Sequence, residues 1–241
     1  MSVDFDGTLM RNPYWSLHLK PWLLTQAGFG HKSWQKLWET MAEESEHRLR
    51  HRNFQGAYDW QDIASKTLHM SLPNPNPPRR EDLIPLVYPD VWDFLLWATG
   101  KRLTLHIVTN GLIKNQWPYL RALGWDKIFT SWIGADSGFA KPDPRPFRLI
   151  TGLSAHIGDR LAHDVLGAKR ASILAVHLKR PGNQEDKRGW DALSPSFCQA
   201  DLTVKSLQEL PERLTQVLPT IQHEGQVGYE RYSHRWQTLR P

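Results

Sequence analysis

Short apolar runs alternate with helix-like stretches along the chain from Tyr88 onward. The apolar runs lie at residues 103–108, 127–135, 155–159, 173–178 and 200–204. The helix-like stretches lie at residues 91–99, 113–123, 144–153 and 163–171, and their apolar residues recur with a spacing near 3.6. This alternation predicts an α/β fold in which helices cover both faces of a doubly wound parallel sheet.

Residues 11–87 contain no convincing alternating strand and predict an all-helical insert. Apolar residues occur at 34, 37, 38, 41 and 49, which fall on one face of a helix, and Ser33 is positioned to cap that helix. Residues 54–70 suggest a second helix. The proline-rich segment 71–80 then predicts an extended connector. We therefore predict a core of residues 1–10 and 88–218, a helical insert of residues 11–87, and a tail of residues 219–241 that is ordered only by docking.

The composition allows an anionic partner or substrate without requiring one. Lys and Arg number 30 against 25 Asp and Glu, which gives a formal net charge of +5 over 241 residues. A solvated basic surface explains the same excess. Cys198 is the single cysteine, so an internal disulfide and a cysteine-rich zinc site are both excluded. With no long apolar run and no signal-peptide pattern, we expect a cytoplasmic protein without membrane contact.

Two carboxylates, Asp4 and Asp6, occur one residue apart near the start of the chain, and Gly7 follows them. In an extended segment residues i and i+2 point the same way, so both side chains face one site at the end of a first strand. Two such charges are costly together unless a cation neutralises them or one carries a proton. Taken alone, the segment is also consistent with an Asp-rich turn.

Further polar residues follow the later predicted strands. Thr109 and Asn110 follow the run at 103–108, Lys141 follows the run at 127–135 after a short loop, and Asp159 and Asp164 follow the run at 155–159. In a doubly wound sheet, ligands bind beyond the carboxyl ends of the strands, so these residues can converge on Asp4 and Asp6. Hard oxygen ligands favour Mg²⁺, whereas Thr and Lys suit phosphoryl oxygens.

The segments DFDGTL, VTNG, KPDP and GDRLAHD together resemble the four ordered motifs of the haloacid dehalogenase superfamily. The resemblance covers residues 1 to about 218 and places the helical insert where that family carries its small α-helical cap. The predicted tail lies outside it.

The resemblance implies a set of catalytic roles. Asp4 would be the nucleophile that forms an aspartyl-phosphate, and Asp6 would protonate the leaving oxygen and later activate water. Thr109, Asn110 and Lys141 would bind the phosphoryl group, and Lys141 would also offset the charge of Asp4.

The resemblance also implies a Mg²⁺ site. Its ligands would be the carboxylates of Asp4 and Asp159 and the backbone carbonyl of Asp6, with Asp164 either a ligand or an orienting group.

The acid at Asp6 favours a phosphatase over a dehalogenase, because an oxyanion leaving group needs a proton and a halide does not. We therefore expect a Mg²⁺-dependent phosphatase that acts on a small phosphorylated metabolite. A phosphomutase of the same fold, and a binding or regulatory protein that holds an anionic partner such as nucleic acid, remain alternatives. Both a monomer and a homodimer are compatible with the sequence.

Several residues near these motifs receive less specific expectations. We expect Arg160 to point away from the metal, the other possibility being an added positive charge near it, and we expect His163 to face solvent rather than to be a ligand. The basic stretch 47–52 is expected to be a solvated helix end, although it could receive a second anionic group of the substrate. The tryptophans at 15, 22, 34, 38 and 60 are expected to form the core of the insert, with lining of a pocket as the other possibility.

Overall fold

The computed structural model of the chain describes residues 1–26, 31–182 and 198–217. The predicted tail of residues 219–241 lies outside the described residues. Among the residues described, none of the helices combines the length and the apolar character that crossing a membrane requires.

A parallel six-stranded sheet forms the centre of the fold, with the strand order β3-β2-β1-β4-β5-β6. The strands are β1 (Ser2–Val3), β2 (Leu105–Val108), β3 (Phe129–Ile133), β4 (Ala155–Gly158), β5 (Leu174–Leu178) and β6 (Leu202–Val204). Because β1 pairs with β2 on one side and with β4 on the other, the strand order reverses at β1. The predicted doubly wound sheet is confirmed, and its crevice for ligands lies at the carboxyl end of β1.

Helices alternate with the strands of the core along the chain, and the last described helix follows β6. They are α6 (Asp90–Gly100), α7 (Ile113–Ala122), α8 (Arg145–Arg148), α9 (Leu166–Arg170) and α10 (Leu210–Val217). The predicted helix at 144–153 is shorter than expected, since only α8 is helical there. Strand β3 is shorter than the predicted 127–135 because 3₁₀ turns occupy Trp125–Lys127 and Ala135–Ser137 on either side of it.

The insert between Met10 and Val87 is helical throughout its described elements. It contains a π-helical turn (Tyr14–Leu19) and the helices α1 (Lys20–Gln26), α2 (His31–Arg50), α3 (Phe54–Ala57), α4 (Trp60–Leu68) and α5 (Arg80–Leu83). Met10 forms an antiparallel bridge to Val87, so the segments that enter and leave the insert lie side by side. The exact division into core and insert stays a prediction.

Two local expectations for the insert are wrong. Helix α2 begins at His31, so Ser33 lies inside the helix rather than at its start. Residues 54–70 form two helices because Asp59 starts α4, its side chain accepting a hydrogen bond from the backbone N–H of Asp62 at 3.2 Å. A carboxylate that satisfies a free N–H of the first turn favours a new helix start at this position.

Tryptophans pack together in the insert, as expected. The ring centroids of Trp15 and Trp38 lie 4.9 Å apart, and those of Trp38 and Trp60 lie 5.3 Å apart in a stacked arrangement. Trp22 and Trp34 pack against the same buried core. Trp60 also lines the cavity described below, so it both packs in the insert and lines a pocket.

The basic stretch 47–52 is not a simple solvated helix end, because Arg48 is only 6% exposed. Its guanidinium donates to Glu44 at 2.6 Å, to Asp62 at 2.7 Å and to the carbonyl oxygen of Gly56 at 2.9 Å. Arg48 therefore joins α2, α3 and α4 within the insert. The exposed basic residues of the stretch are His47, Arg50, His51 and Arg52.

A buried ion pair joins three elements of the core. Asp90, at the start of α6, accepts hydrogen bonds from Arg180 at 2.8 and 2.9 Å and from the hydroxyl of Ser206 and the backbone N–H of Leu207, each at 2.8 Å. Burial would raise the pKa of Asp90, but Arg180 and the other donors hold it below its ordinary value. The ion pair ties the segment after β5 and the segment before α10 to α6.

We expect Asp90→Ala to lower the free energy of unfolding by about 3 kcal/mol, because it leaves the Arg180 guanidinium buried without its carboxylate. The melting temperature should fall by roughly 6–12 °C in thermal unfolding followed by circular dichroism. Asp82→Ala is the matched control, since Asp82 makes a similar two-bond pair with Arg79 on the exposed surface. An exposed pair contributes about 1 kcal/mol or less. Equal effects of the two substitutions would contradict the structural role of Asp90.

Candidate active site

The register of the sheet brings three of the predicted polar groups to one place. Val3 aligns with Ile107 of β2 and with Ile157 of β4, so the residues that follow these strands lie at the same level. Asp4 follows β1 directly and its N–H donates to the carbonyl oxygen of Ile157 at 2.8 Å. Thr109 follows β2 and Asp159 follows β4.

A cavity of about 200 Å³ opens at this edge of the sheet. Its walls include Asp4, Asp6, Thr109, Asn110, Lys141 and Asp164, together with residues of the insert. The structure thus brings together these sequence-predicted site residues, and Asp159 lies beside them.

Lys141 is a buried cation of the site and is only 3% exposed. Its ammonium donates to Asp4 Oδ1 at 2.6 Å, to Asp164 Oδ1 at 2.5 Å and to the carbonyl oxygen of Val108 at 2.8 Å. An ammonium carries three hydrogens, so these acceptors use all of them. Burial would lower the pKa of Lys141, but Asp164 and Asp4 raise it above the ordinary lysine value, so the side chain stays charged.

Asp164 accepts hydrogen bonds from three donors. Besides Lys141, His156 Nε2 lies 3.0 Å from its Oδ1, and the backbone N–H of Arg160 donates to its Oδ2 at 2.9 Å. Burial alone would raise the pKa of Asp164, but Lys141 and the hydrogen bond from His156 hold it well below its ordinary value. Because burial lowers the pKa of His156 to about 4, this histidine is neutral and acts on Asp164 as a hydrogen-bond donor. Asp164 therefore orients Lys141.

Asp4 and Asp6 occupy different environments although they are one residue apart. Asp4 is paired with Lys141, and burial raises its pKa to about 6 against the opposing effect of that lysine. Asp6 Oδ2 accepts hydrogen bonds from Asn12 Nδ2 at 3.1 Å and from Gln116 Nε2 at 3.0 Å. Burial, followed by the charge of Asp4, raises the pKa of Asp6 to about 8. At neutral pH this separation leaves Asp4 predominantly ionised and Asp6 predominantly protonated.

Asn110 holds the backbone of Lys141 in place. Its Oδ1 accepts from the N–H of Lys141 at 2.7 Å, and its Nδ2 donates to the carbonyl oxygen of Lys141 at 3.0 Å and to the hydroxyl of Tyr58 at 2.8 Å. The amide is thus used within the protein, and contact of Asn110 with the substrate stays a prediction.

Three carboxylates form a group that could hold a metal ion. Oxygens of Asp4, Asp159 and Asp164 lie within 4.8 Å of one another. Burial, followed by the charges of Asp4 and Asp164, raises the pKa of Asp159 to about 8. Oxygen donors of this kind fit a hard divalent cation. The Asp6 carboxylate is not among the three.

Gly7 allows Asp159 to sit against the chain after β1. Gly7 has φ +89°, and a Cβ atom there would lie 2.4 Å from Asp159 Oδ2. The hydroxyl of Thr8 donates to Asp159 Oδ1 at 3.2 Å. A side chain at position 7 would be strained and would displace the Asp159 carboxylate.

The expectation that Arg160 points away from the site is wrong, and His163 is half-buried rather than fully exposed. Both line the cavity, and His163 Nδ1 lies 3.5 Å from Asn110 Nδ2. Burial raises the pKa of Asp159 to about 8 and that of Tyr58 to about 12, and the charge of Arg160 acts against both increases. The loop after β4 therefore adds positive charge to the wall of the cavity.

Sequence reasoning missed Asn12, Tyr58, Gln116 and His156. Only Gln116 could have been noticed in the sequence. It lies three and four residues before Tyr119 and Leu120, and all three belong to the buried face of α7. A polar residue at such a position needs a partner, and here the partners belong to the site.

Comparison with known proteins gives a family match. A family model described as a haloacid dehalogenase-like hydrolase matches residues 2–172 of the chain. The match includes β1 to β4 and every residue discussed above for the cavity and the carboxylate group.

Curated relatives match over part of their length. The chain is 33% identical over 118 residues to glyceraldehyde 3-phosphate phosphatase from Methanopyrus kandleri. The matched region covers 46% of this chain and 51% of that protein. The chain is also 33% identical over 132 residues to phosphoserine phosphatase from Thermus thermophilus, covering 52% of this chain and 49% of that protein. The chain thus spans about half the length of these relatives.

The fold extends over nearly the whole of a solved structure. A HAD phosphatase from Thermococcus onnurineus superposes with a TM-score of 0.57 at 25% identity, covering 88% of this chain and 96% of that one.

Proposed function

This chain belongs to the haloacid dehalogenase-like hydrolase family, and we propose that it is a Mg²⁺-dependent phosphatase acting on a small phosphorylated metabolite. The observation that carries the proposal is the contrast between Asp4 and Asp6. One carboxylate is paired with Lys141 and suited to be a nucleophile, and its neighbour has a raised pKa and suits an acid.

In the first step, a carboxylate oxygen of Asp4 attacks the phosphorus of the ester and forms an aspartyl-phosphate. The bond between phosphorus and the ester oxygen breaks, and Asp6 gives its proton to that oxygen, so the product leaves as a neutral alcohol. Lys141 keeps Asp4 ionised and offsets its charge as the phosphoryl group approaches. The hydroxyl of Thr109 donates to a phosphoryl oxygen.

In the second step, Asp6 is a carboxylate and takes a proton from a water molecule that attacks the phosphorus of the aspartyl-phosphate. The bond between phosphorus and Asp4 breaks, inorganic phosphate leaves, and both carboxyl groups return to their starting states. One residue thus acts as acid and then as base, which fits its raised pKa near 8.

Asp4, Asp159 and the backbone carbonyl of Asp6 are the groups that would hold Mg²⁺. We assign Asp164 the orienting role, because its oxygens already accept from Lys141, His156 and the backbone of Arg160. When bound, the ion would neutralise charge on the phosphoryl oxygens and on the carboxylates around it.

The size and lining of the cavity support a small substrate. Its volume of about 200 Å³ suits a compact ester, and Tyr14, Tyr58 and Trp60 of the insert form part of its wall. The names of the two curated relatives refer to phosphorylated three-carbon compounds, and substrates of that size agree with the volume of the cavity. Arg160 and His163 add polar groups for further contacts with the substrate.

The test is release of inorganic phosphate from p-nitrophenyl phosphate and from a panel of phosphorylated metabolites, with Mg²⁺ or with EDTA. We expect release that needs Mg²⁺ and yields the free alcohol. Absence of release from every ester in the presence of Mg²⁺ would overturn the proposal. Transfer of phosphate within a sugar phosphate without net release would point to the phosphomutase.

A substitution at Asp159 tests the metal assignment. We expect Asp159→Ala to raise the Mg²⁺ concentration at half-maximal rate by at least about tenfold. Replacing a residue that only hydrogen-bonds to a metal ligand typically weakens metal binding by about tenfold or more, and loss of a ligand should weaken it at least as much. The control is Asp82→Ala, which removes an exposed carboxylate of α5. An unchanged Mg²⁺ requirement in Asp159→Ala would remove Asp159 from the metal site.

A further inference from the structure

Gln116 of α7 is only 3% exposed and connects two parts of the site through one nitrogen atom. Its Nε2 donates to Asp6 Oδ2 at 3.0 Å and to Thr109 Oγ1 at 3.2 Å. Its Oε1 is buried and has no hydrogen-bond partner among the described residues. A buried acceptor without a partner costs stability, so packing alone does not explain a glutamine at this position.

The hydrogen bonds at Thr109 determine what its hydroxyl can do. Thr109 Oγ1 accepts from the backbone N–H of Gly111 at 3.1 Å and from Gln116 Nε2. A hydroxyl has two lone pairs and one hydrogen, so both of its acceptor positions are occupied. The hydroxyl can therefore only donate. Phosphoryl oxygens of an ionised phosphate ester only accept hydrogen bonds. The Thr109 hydroxyl is therefore already oriented as a donor before the ester binds.

The same amide restrains Asp6. Asp6 Oδ2 accepts from Gln116 on the core side and from Asn12 at the start of the insert. Two donors on one oxygen hold that oxygen as an acceptor and restrict rotation of the carboxyl group. The acid that protonates the leaving group is thus positioned by a residue that itself has no proton to transfer.

We propose that Gln116 is a positioning residue that orients the Thr109 hydroxyl toward the phosphoryl group and the Asp6 carboxyl toward the leaving oxygen. This inference rests on the proposed phosphatase function. It assigns a role to a residue outside the four motif segments, on the helix that follows β2.

The substitution Gln116→Met tests the role, because methionine has a similar length and shape but no amide. Asp6 keeps its bond from Asn12, and Thr109 keeps its bond from Gly111. The loss of two hydrogen bonds is partly offset by removal of the unpartnered Oε1, so we expect a melting temperature within about 3 °C of the wild type. Gln35→Met, on the exposed side of α2, is the matched control.

Two measurements separate positioning from packing. The leaving group of p-nitrophenyl phosphate needs little help from an acid, whereas that of an alkyl phosphate needs a proton. We expect kcat/KM of Gln116→Met to fall by about 100-fold with the best alkyl phosphate of the panel and by about tenfold or less with p-nitrophenyl phosphate. Binding of inorganic phosphate with Mg²⁺, measured by calorimetry, should weaken several-fold because Thr109 is no longer restrained to donate.

Other outcomes would overturn the inference. Equal losses with both esters, accompanied by a lower melting temperature, would make Gln116 a packing residue. Unchanged rates and unchanged phosphate binding would remove it from the site altogether. If the wild type releases no phosphate from any ester, the proposed function fails, and this inference fails with it. If the wild type is active, only the role of Gln116 is in question.

Discussion

Asp4→Asn is expected to lower the rate of phosphate release by at least about 10⁴-fold, because it removes the nucleophile and keeps its shape. The fold should be retained. Lys141 still has Asp164 and the carbonyl oxygen of Val108 as acceptors, and the buried carboxylate whose pKa is raised to about 6 is replaced by a neutral amide. The melting temperature should therefore stay near that of the wild type. The measurement is phosphate release under saturating Mg²⁺, together with thermal unfolding.

Two controls sharpen the result for Asp4→Asn. Asp82→Asn changes an exposed aspartate of α5 and should leave the rate unchanged. Mass spectrometry of the purified Asp4→Asn protein excludes residual activity that comes from deamidation back to aspartate. A rate within 100-fold of the wild type in protein shown to be free of aspartate at this position would exclude Asp4 as the nucleophile.

An acid quench of the wild type during turnover gives a second, independent observation. Phosphate should be found attached to the peptide that contains Asp4, and Asp4→Asn should show none. A wild type that turns over with no trapped phosphate, and an Asp4→Asn variant that remains active, would together favour direct attack by water on the ester.

The central sheet and the convergence of the motif residues could be predicted from the sequence, and the reason is geometric. Buried parallel strands produce apolar runs that stand out from amphipathic helices, and polar residues directly after such runs must lie at the same edge of the sheet. Asp4, Thr109 and Asp159 lie within two residues of the aligned positions at the ends of β1, β2 and β4, so no information about side-chain packing was needed to bring them together.

The partners of those residues could not be predicted, because they depend on contacts between distant parts of the chain. Tyr58 reaches Asn110 from the insert, and His156 reaches Asp164 from the interior of β4. Arg160 was expected to be in solvent because arginine usually is, yet the backbone after β4 turns it to the cavity. Composition and periodicity carry no information about such pairings.

Arg48 shows the same limit inside the insert. A run of basic residues at a helix end normally indicates a solvated surface, and four of the residues in 47–52 are indeed exposed. Arg48 differs because Glu44 lies one turn before it and Asp62 approaches from α4. The first partner is visible in the sequence as an i, i+4 pair, but the second requires the tertiary arrangement of the helices.

Lys141→Met is expected to have the second large effect, and it should act on both activity and stability. The substitution leaves Asp4 and Asp164 buried near each other without a cation and leaves the carbonyl oxygen of Val108 without this donor. Removing one partner of a buried ion pair costs about 3–5 kcal/mol, which corresponds to a fall in melting temperature of roughly 10 °C. The rate should fall by about 10³-fold or more, measured below the melting temperature of the variant.

The pH dependence of the loss in stability has a definite sign. In the wild type, the pKa of Asp164 is held low by Lys141, so its stabilising contribution is complete above the ordinary aspartate value and is lost only in acid. Without Lys141, burial and mutual repulsion raise the pKa values of Asp4 and Asp164 in the folded state. Such carboxylates destabilise the fold most when charged, and protonation relieves the cost as the pH falls. The difference in unfolding free energy between wild type and variant should therefore be smaller at pH 5 than at pH 7.

A double substitution separates the two effects of Lys141. Replacing both partners of a buried ion pair is much less costly than replacing one, so Lys141→Met with Asp164→Asn should recover part of the lost melting temperature. Activity should not return, because the charge beside Asp4 is still absent. Lys36→Met, an exposed lysine of α2, should change neither quantity. If the double variant recovered activity along with stability, Lys141 would be a structural residue, and the cation that offsets the charge of the nucleophile would have to be sought elsewhere, with Arg160 on the cavity wall as the next candidate.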